Sequence, residues 1–133
     1  GCQSEGRISC SSQVQISLGN TIYDLSDVKF TQLYVNNEAS SLELTSFVVQ
    51  REWDDNTIES KEVALTLTPG ESRDLGPDLT GLTAYTNKAI GSLLAVRVTP
   101  TFTQTTSDGG SCKIYCEEQK IRVIVGNVLT TQP

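Results

Sequence analysis

The chain has 133 residues and a formal net charge of −6, with sixteen acidic residues against ten basic ones and no histidine. That balance excludes a nucleic-acid partner, which needs a basic footprint, and disfavours docking on an anionic membrane surface. Without histidine, the commonest general base, metal ligand and near-neutral pH switch are all missing.

The length fits one domain, residues 1–133, with a real hydrophobic core. No stretch approaches the roughly 20 apolar residues of a membrane span; the most apolar run, "SLLAVRV", is broken by Arg97. The absence of methionine reads as a processed chain that has lost a leader. Four cysteines without metal-ligand spacing point to disulfides, and so to a secreted or cell-surface protein. An alternative use of Cys2 is lipid attachment, as in a lipoprotein. That would leave an odd number of thiols.

Residues 1–12 carry Cys2 and Cys10 and read as a disulfide-tethered N-terminal segment. Next comes "QVQISLG", where Val14, Ile16 and Leu18 alternate with polar residues, the period-two pattern of a half-buried strand. In "VKFTQLYV" the apolar parity changes between Phe30 and Leu33. In "SLELTSFVVQREW" it changes between Leu44 and Phe47. Such a switch marks a bulge or a strand crossing between sheets. "EVALTLT" alternates on Val63, Leu65 and Leu67, and "LLAVRVTPTF" places Leu94, Val96, Val98 and Phe102 on one face. Asp108-Gly109-Gly110 is the strongest hairpin signal, joining the 93–104 strand to one beginning near Cys112. No segment offers a convincing helix; residues 78–92 read as a long connection with at most one helical turn or a short strand.

"KIRVIVGNV" (120–128) is apolar on both faces, which predicts a strand covered by the first strand (13–18) or by a neighbouring subunit rather than a free edge. The whole predicts an all-β fold, a single antiparallel two-sheet sandwich of about seven to nine strands. A closed barrel is the runner-up.

A search for chemistry returns no catalytic residue. There is no phosphate or dinucleotide fingerprint, and a Ser-His-Asp arrangement is impossible. The chain is predicted not to be an enzyme and to need no cofactor. Asp54, Asp55 and Asn56 in "WDDN" are candidate calcium ligands, but Asp and Asn are also the ordinary formers of turns, and no EF-hand pattern exists. Trp53 and Tyr85 are candidates for a carbohydrate- or protein-binding platform built on the loops around Trp53 and 76–92, although, with aromatics at only 6% of the chain, core or rim positions are the ordinary reading.

"LYVNNEASSLELTSFVVQRE" followed by "KEVALTLTPGESRDL" resembles immunoglobulin-like modules of bacterial and archaeal surface proteins, especially adhesion-related ones. Shared features are a strand ending in asparagine, an alternating strand, and the L-x-P-G-E-S turn at Leu67–Ser72; the resemblance spans residues 28–75. It implies an Ig-like sandwich in a surface setting. No cysteine lies in the middle strands, so the inter-sheet bridge of antibody-type domains has no counterpart.

In such sandwiches the first and last strands run parallel as neighbours, which would carry Cys10 toward Cys116 and leave Cys2 for Cys112. An extended 112–116 segment spans roughly 13 Å, too far for its own two cysteines to meet the Cα separation of about 4.4–6.8 Å that a disulfide requires. Local pairing, Cys2–Cys10 with Cys112–Cys116, is the alternative if both segments turn back. The functional expectation is an extracellular structural or adhesive protein whose partner is a protein, including further copies of itself in a filament. The alternative is a ligand-binding module or inhibitor.

Overall fold

The alternating runs become strands in the computed structural model, which describes residues 2–24, 29–39, 41–79, 93–124 and 129–132. In chain order the elements are helix α1 (Cys2–Gln13), β1 (Ile16–Asp24), β2 (Lys29–Asn37), β3 (Leu44–Trp53), β4 (Ile58–Leu67) and β5 (Ser72–Asp74). There follow a helical turn α2 (Gly76–Leu79), β6 (Leu93–Thr105), β7 (Ser111–Tyr115), a 3-10 turn (Glu117–Gln119), β8 (Ile121–Ile124) and β9 (Leu129–Gln132).

Two sheets form the expected all-β sandwich. One has the order β5-β2-β1-β9; the other has the order β4-β3-β6, with β7 and β8 both pairing β6. All pairings are antiparallel except β1 with β9, which run parallel with Thr21 opposite Leu129. Between the sheets lies one core. Phe30, Leu33 and Val35 of β2 meet Phe47 and Val49 of β3 and Val96, Val98 and Phe102 of β6, all buried in a single cluster. Burial of each such side chain stabilises by about 1.5–3 kcal/mol.

One parity switch is a bulge. The β1–β2 register slips between Ile22 and Tyr23, where β2 carries one extra residue, Thr31. At the other, the β3–β4 slip between Leu44 and Ser46 has its extra residue on β4, and Ser46 and Phe47 are buried in succession on opposite faces of β3. Asn37 anchors the corner where β2 ends. It is buried, its Nδ2 donates to the carbonyls of Leu42 (3.0 Å) and Leu67 (2.9 Å), and its Oδ1 accepts from the Ala39 amide. The Asp108-Gly109-Gly110 hairpin forms as expected between β6 and β7, with Gly109 at φ 87°, the left-handed conformation glycine adopts without strain.

Three expectations are corrected. Residues 2–13 are a helix, because tertiary contact rather than an apolar stripe holds them: Gly6 lets α1 lie directly on Ile114, and Cys10 is buried beneath it. Consequently the first strand begins at Ile16 rather than Gln13. Leu94 is not on the core face. It is the extra residue of a bulge opposite Glu52 and Trp53 and is 45% exposed. The first strand does not cover the last part of the chain's second sheet, since β1 belongs to the other sheet and β8 pairs β6.

Candidate functional site

Of the two readings of Trp53, binding platform or core residue, the structure has the second: it is buried, 2% exposed. Its strand parity puts it on the inner face with Arg51, and the β3–β4 register sets Glu59 directly across from Arg51. Glu59 Oε1 accepts from Arg51 Nη2 and from Trp53 Nε1, both at 2.7 Å. The Arg51 guanidinium lies 5.1 Å from the Trp53 ring centroid, and its Nη1 donates to the Tyr23 hydroxyl of the opposite sheet at 3.0 Å. A buried cation is thereby paired, hydrogen-bonded and used to tie one sheet to the other. Trp53 is a strut, not a platform. Tyr85 and residues 80–92 lie outside the described residues, so the rest of that expectation has no counterpart here.

The "WDDN" turn uses its own oxygens. Asp55 Oδ1 accepts from the Thr57 amide (3.0 Å) and hydroxyl (2.6 Å), and Asn56 takes φ 69°, the left-handed conformation asparagine tolerates. Among the described residues no three potential ligands converge on a metal position. Asp54, Asp55 and Asn56 are a turn.

The cysteines do converge. Cys10 and Cys116 form a disulfide with Cα atoms 5.5 Å apart, closing a sequence separation of 106. The expected pair is present but by a different route: α1 packs against β7 and the 3-10 turn, while the parallel neighbour of β1 is β9, further along the chain. Cys112 is also disulfide-bonded; the expected partner, Cys2, has its side chain outside the described residues.

The outer face of the five-stranded sheet is polar and charged. The register brings Glu52, Glu62, Arg97, Lys113 and Arg122 onto it, three cations against two carboxylates. Glu62 reaches over Ser46 and Thr101, which are buried on this face, and accepts from Ser46 (3.0 Å), the Tyr115 hydroxyl (2.9 Å) and Lys113. Those donors hold its carboxyl below the usual range, the Lys113 hydrogen bond most of all. Glu52 accepts from Arg97 Nε (2.7 Å) and Arg122 Nε (2.8 Å), and the Arg122 bond, then the Arg97 bond, lower its pKa to about 2.

At one end of this face the register aligns Ile58, Glu52, Ala95 and Ile124 across four strands. Ile58 and Ile124 are each 47% exposed, and the bulged Leu94 sits beside Ala95. Ile124 belongs to β8, and among the described residues no strand pairs with the side of β8 that faces away from β6. Charge and short length are how edges are normally guarded: β5, β8 and β9 have three, four and four residues, and β4 carries Glu59, Lys61 and Glu62. β8 also carries Arg122, beyond which Ile124 is an exposed apolar residue.

The fold and this surface define a two-sheet β-sandwich clamped by a disulfide-linked N-terminal helix. No helix among the described residues is long and apolar enough to cross a membrane. No family model, curated protein or solved structure matches the chain.

Proposed function

We propose that this protein is an extracellular structural or adhesive module that associates with further copies of itself through the β8 edge and the adjoining outer face. The carrying observation is that β8, with no strand paired on its outward side among the described residues, places the exposed Ile124 next to Ala95 and the exposed Leu94 at one end of its sheet. Strand addition to such an edge supplies main-chain hydrogen bonds, and the apolar row supplies burial.

Charge does not oppose a second copy here. A chain of net charge −6 repels itself over most of its surface, whereas this face carries three cations against two carboxylates. The disulfide fits an oxidising compartment outside the cell. The Asn37 corner and the Thr68–Ser72 turn are the features through which the sequence resembles Ig-like surface modules, and that setting suits an assembling subunit.

Sedimentation velocity over a wide concentration range tests the reading, comparing the native chain with Ile124→Lys. The native chain should form larger species as concentration rises, and the variant should remain monomeric with an unchanged melting curve. A native chain that stays monomeric at the highest concentration, or a variant that associates equally well, overturns the assignment.

A further inference from the structure

Away from the β8 edge, a cleft of about 220 Å³ opens between α1 and the 3-10 turn. Its floor is the Cys10–Cys116 disulfide, and one wall is Tyr115, whose hydroxyl is held by Glu62. Arg7 of α1 stands on one side; Glu117 and Glu118 of the 3-10 turn stand on the other. Gln119 also lines it, with its Oε1 buried and without a hydrogen-bond partner.

These groups contrast with the carboxylates that the fold employs. Glu52, Glu62 and Asp74 accept hydrogen bonds or ion pairs within the fold. Among the described residues, Arg7, Glu117 and Glu118 have no hydrogen bond or ion pair through their side chains, although they flank a common space.

We infer that this cleft binds a small zwitterion of the free amino-acid class. A carboxylate fits the Arg7 guanidinium, which can take both of its oxygens. An ammonium group fits the Glu117 and Glu118 side. The apolar part of the ligand lies on the disulfide and the Tyr115 ring, both receptive to aliphatic groups. A simple anion meets the two glutamates, and a simple cation meets Arg7; only a molecule carrying both charges satisfies both sides. The volume, about seven waters at roughly 30 Å³ each, suits a small amino acid. The assignment does not depend on self-association, because β8 and the exposed row contribute nothing to the cleft.

The test is an amide-resonance titration of the intact, oxidised protein with L-alanine, acetate and ethylammonium, repeated on Arg7→Gln and Gln119→Leu. L-Alanine should produce saturable shifts at residues 7 and 115–119, and acetate and ethylammonium should bind roughly tenfold more weakly or not at all. Arg7→Gln, a change at an exposed position, should weaken alanine binding by about tenfold while leaving the remaining spectrum in place. The absence of saturable shifts with alanine, equal binding of acetate or ethylammonium, or unchanged binding in both variants each overturns the proposal.

Discussion

Gly6 of α1 faces Ile114 of β7 so closely that a Cβ on Gly6 would lie 2.6 Å from the isoleucine side chain. In an exposed helix, glycine to alanine stabilises by about 1 kcal/mol. Here the added methyl overpacks a fully buried contact, which costs about 1–3 kcal/mol. Gly6→Ala should therefore lower stability in urea denaturation. Combined with Ile114→Ala, which opens space, it should cost less than the sum of the two single changes. A stabilising Gly6→Ala would mean that α1 does not sit on β7 as described.

The Cys10–Cys116 bridge closes a loop for which the chain-entropy account gives about 4–5 kcal/mol. Because Cys112 is also bridged, removing one staple leaves the other, and Cys10→Ser with Cys116→Ser should cost about 3 kcal/mol. Thermal unfolding measures it, and the loss should be accompanied by exchange of the α1 amides. Equal melting temperatures for the double variant and the parent would remove the clamp from the account.

Glu59→Ala removes the acceptor shared by Arg51 and Trp53 at 2.7 Å. Taking one partner from a buried pair costs about 3–5 kcal/mol. The expected value is near the lower end, since the Glu59 side chain is 9% exposed and water can enter. Trp53 is the chain's single tryptophan, so its emission reports the change directly. Emission should shift to the red in the folded variant, and an unshifted spectrum would contradict the strut role.

Acid should weaken the outer face in a defined window. Glu52 has a folded pKa of about 2 against an ordinary value of 4.5, so it is ionised in the native state where the unfolded chain would bind a proton. Its contribution is fully present above about pH 4.5 and is lost as pH falls toward 2. Discounting for the half-exposed Arg122, this amounts to about 1–2 kcal/mol. Glu62 is displaced in the same direction and adds to the same window. Glu52→Gln should flatten the fall in melting temperature between pH 5 and 2; an unchanged slope would show that the two arginines do not hold this carboxylate.

The strands were legible because period-two alternation is a local signal, and even the bulge at Thr31 appears as a parity break in the apolar pattern. The Cys10–Cys116 pair was also legible, although for a reason the structure replaces. Helix α1 was not, because its face is made of cysteines and a glycine and its stability comes from contacts with residues a hundred positions away. A signal existed: Cys2, Gly6, Cys10 and Val14 recur every four residues. Eight residues of helix rise about 12 Å and four of strand about 13 Å, so the spacing Cys2 to Cys10 matches Cys112 to Cys116. A non-reducing peptide map should accordingly join the Cys112 peptide to that of Cys2. The role of Trp53 as a strut was not legible, because its partners Arg51 and Glu59 are charged and only the β3–β4 register shows them to be opposite one another. The cleft beside Cys116 was invisible, since a long crossing of α1 over a 3-10 turn creates it.

Hydrogen exchange at β8 tests self-association most directly. Amides of 122–124 that point away from β6 have no partner strand among the described residues. They should exchange rapidly in dilute protein and become protected in concentrated native material, while those bonded to β6 stay protected in both. Equal protection of the outward amides at both concentrations would contradict the account, since slow exchange would place a cover within the chain itself and rapid exchange would leave β8 with no partner at all.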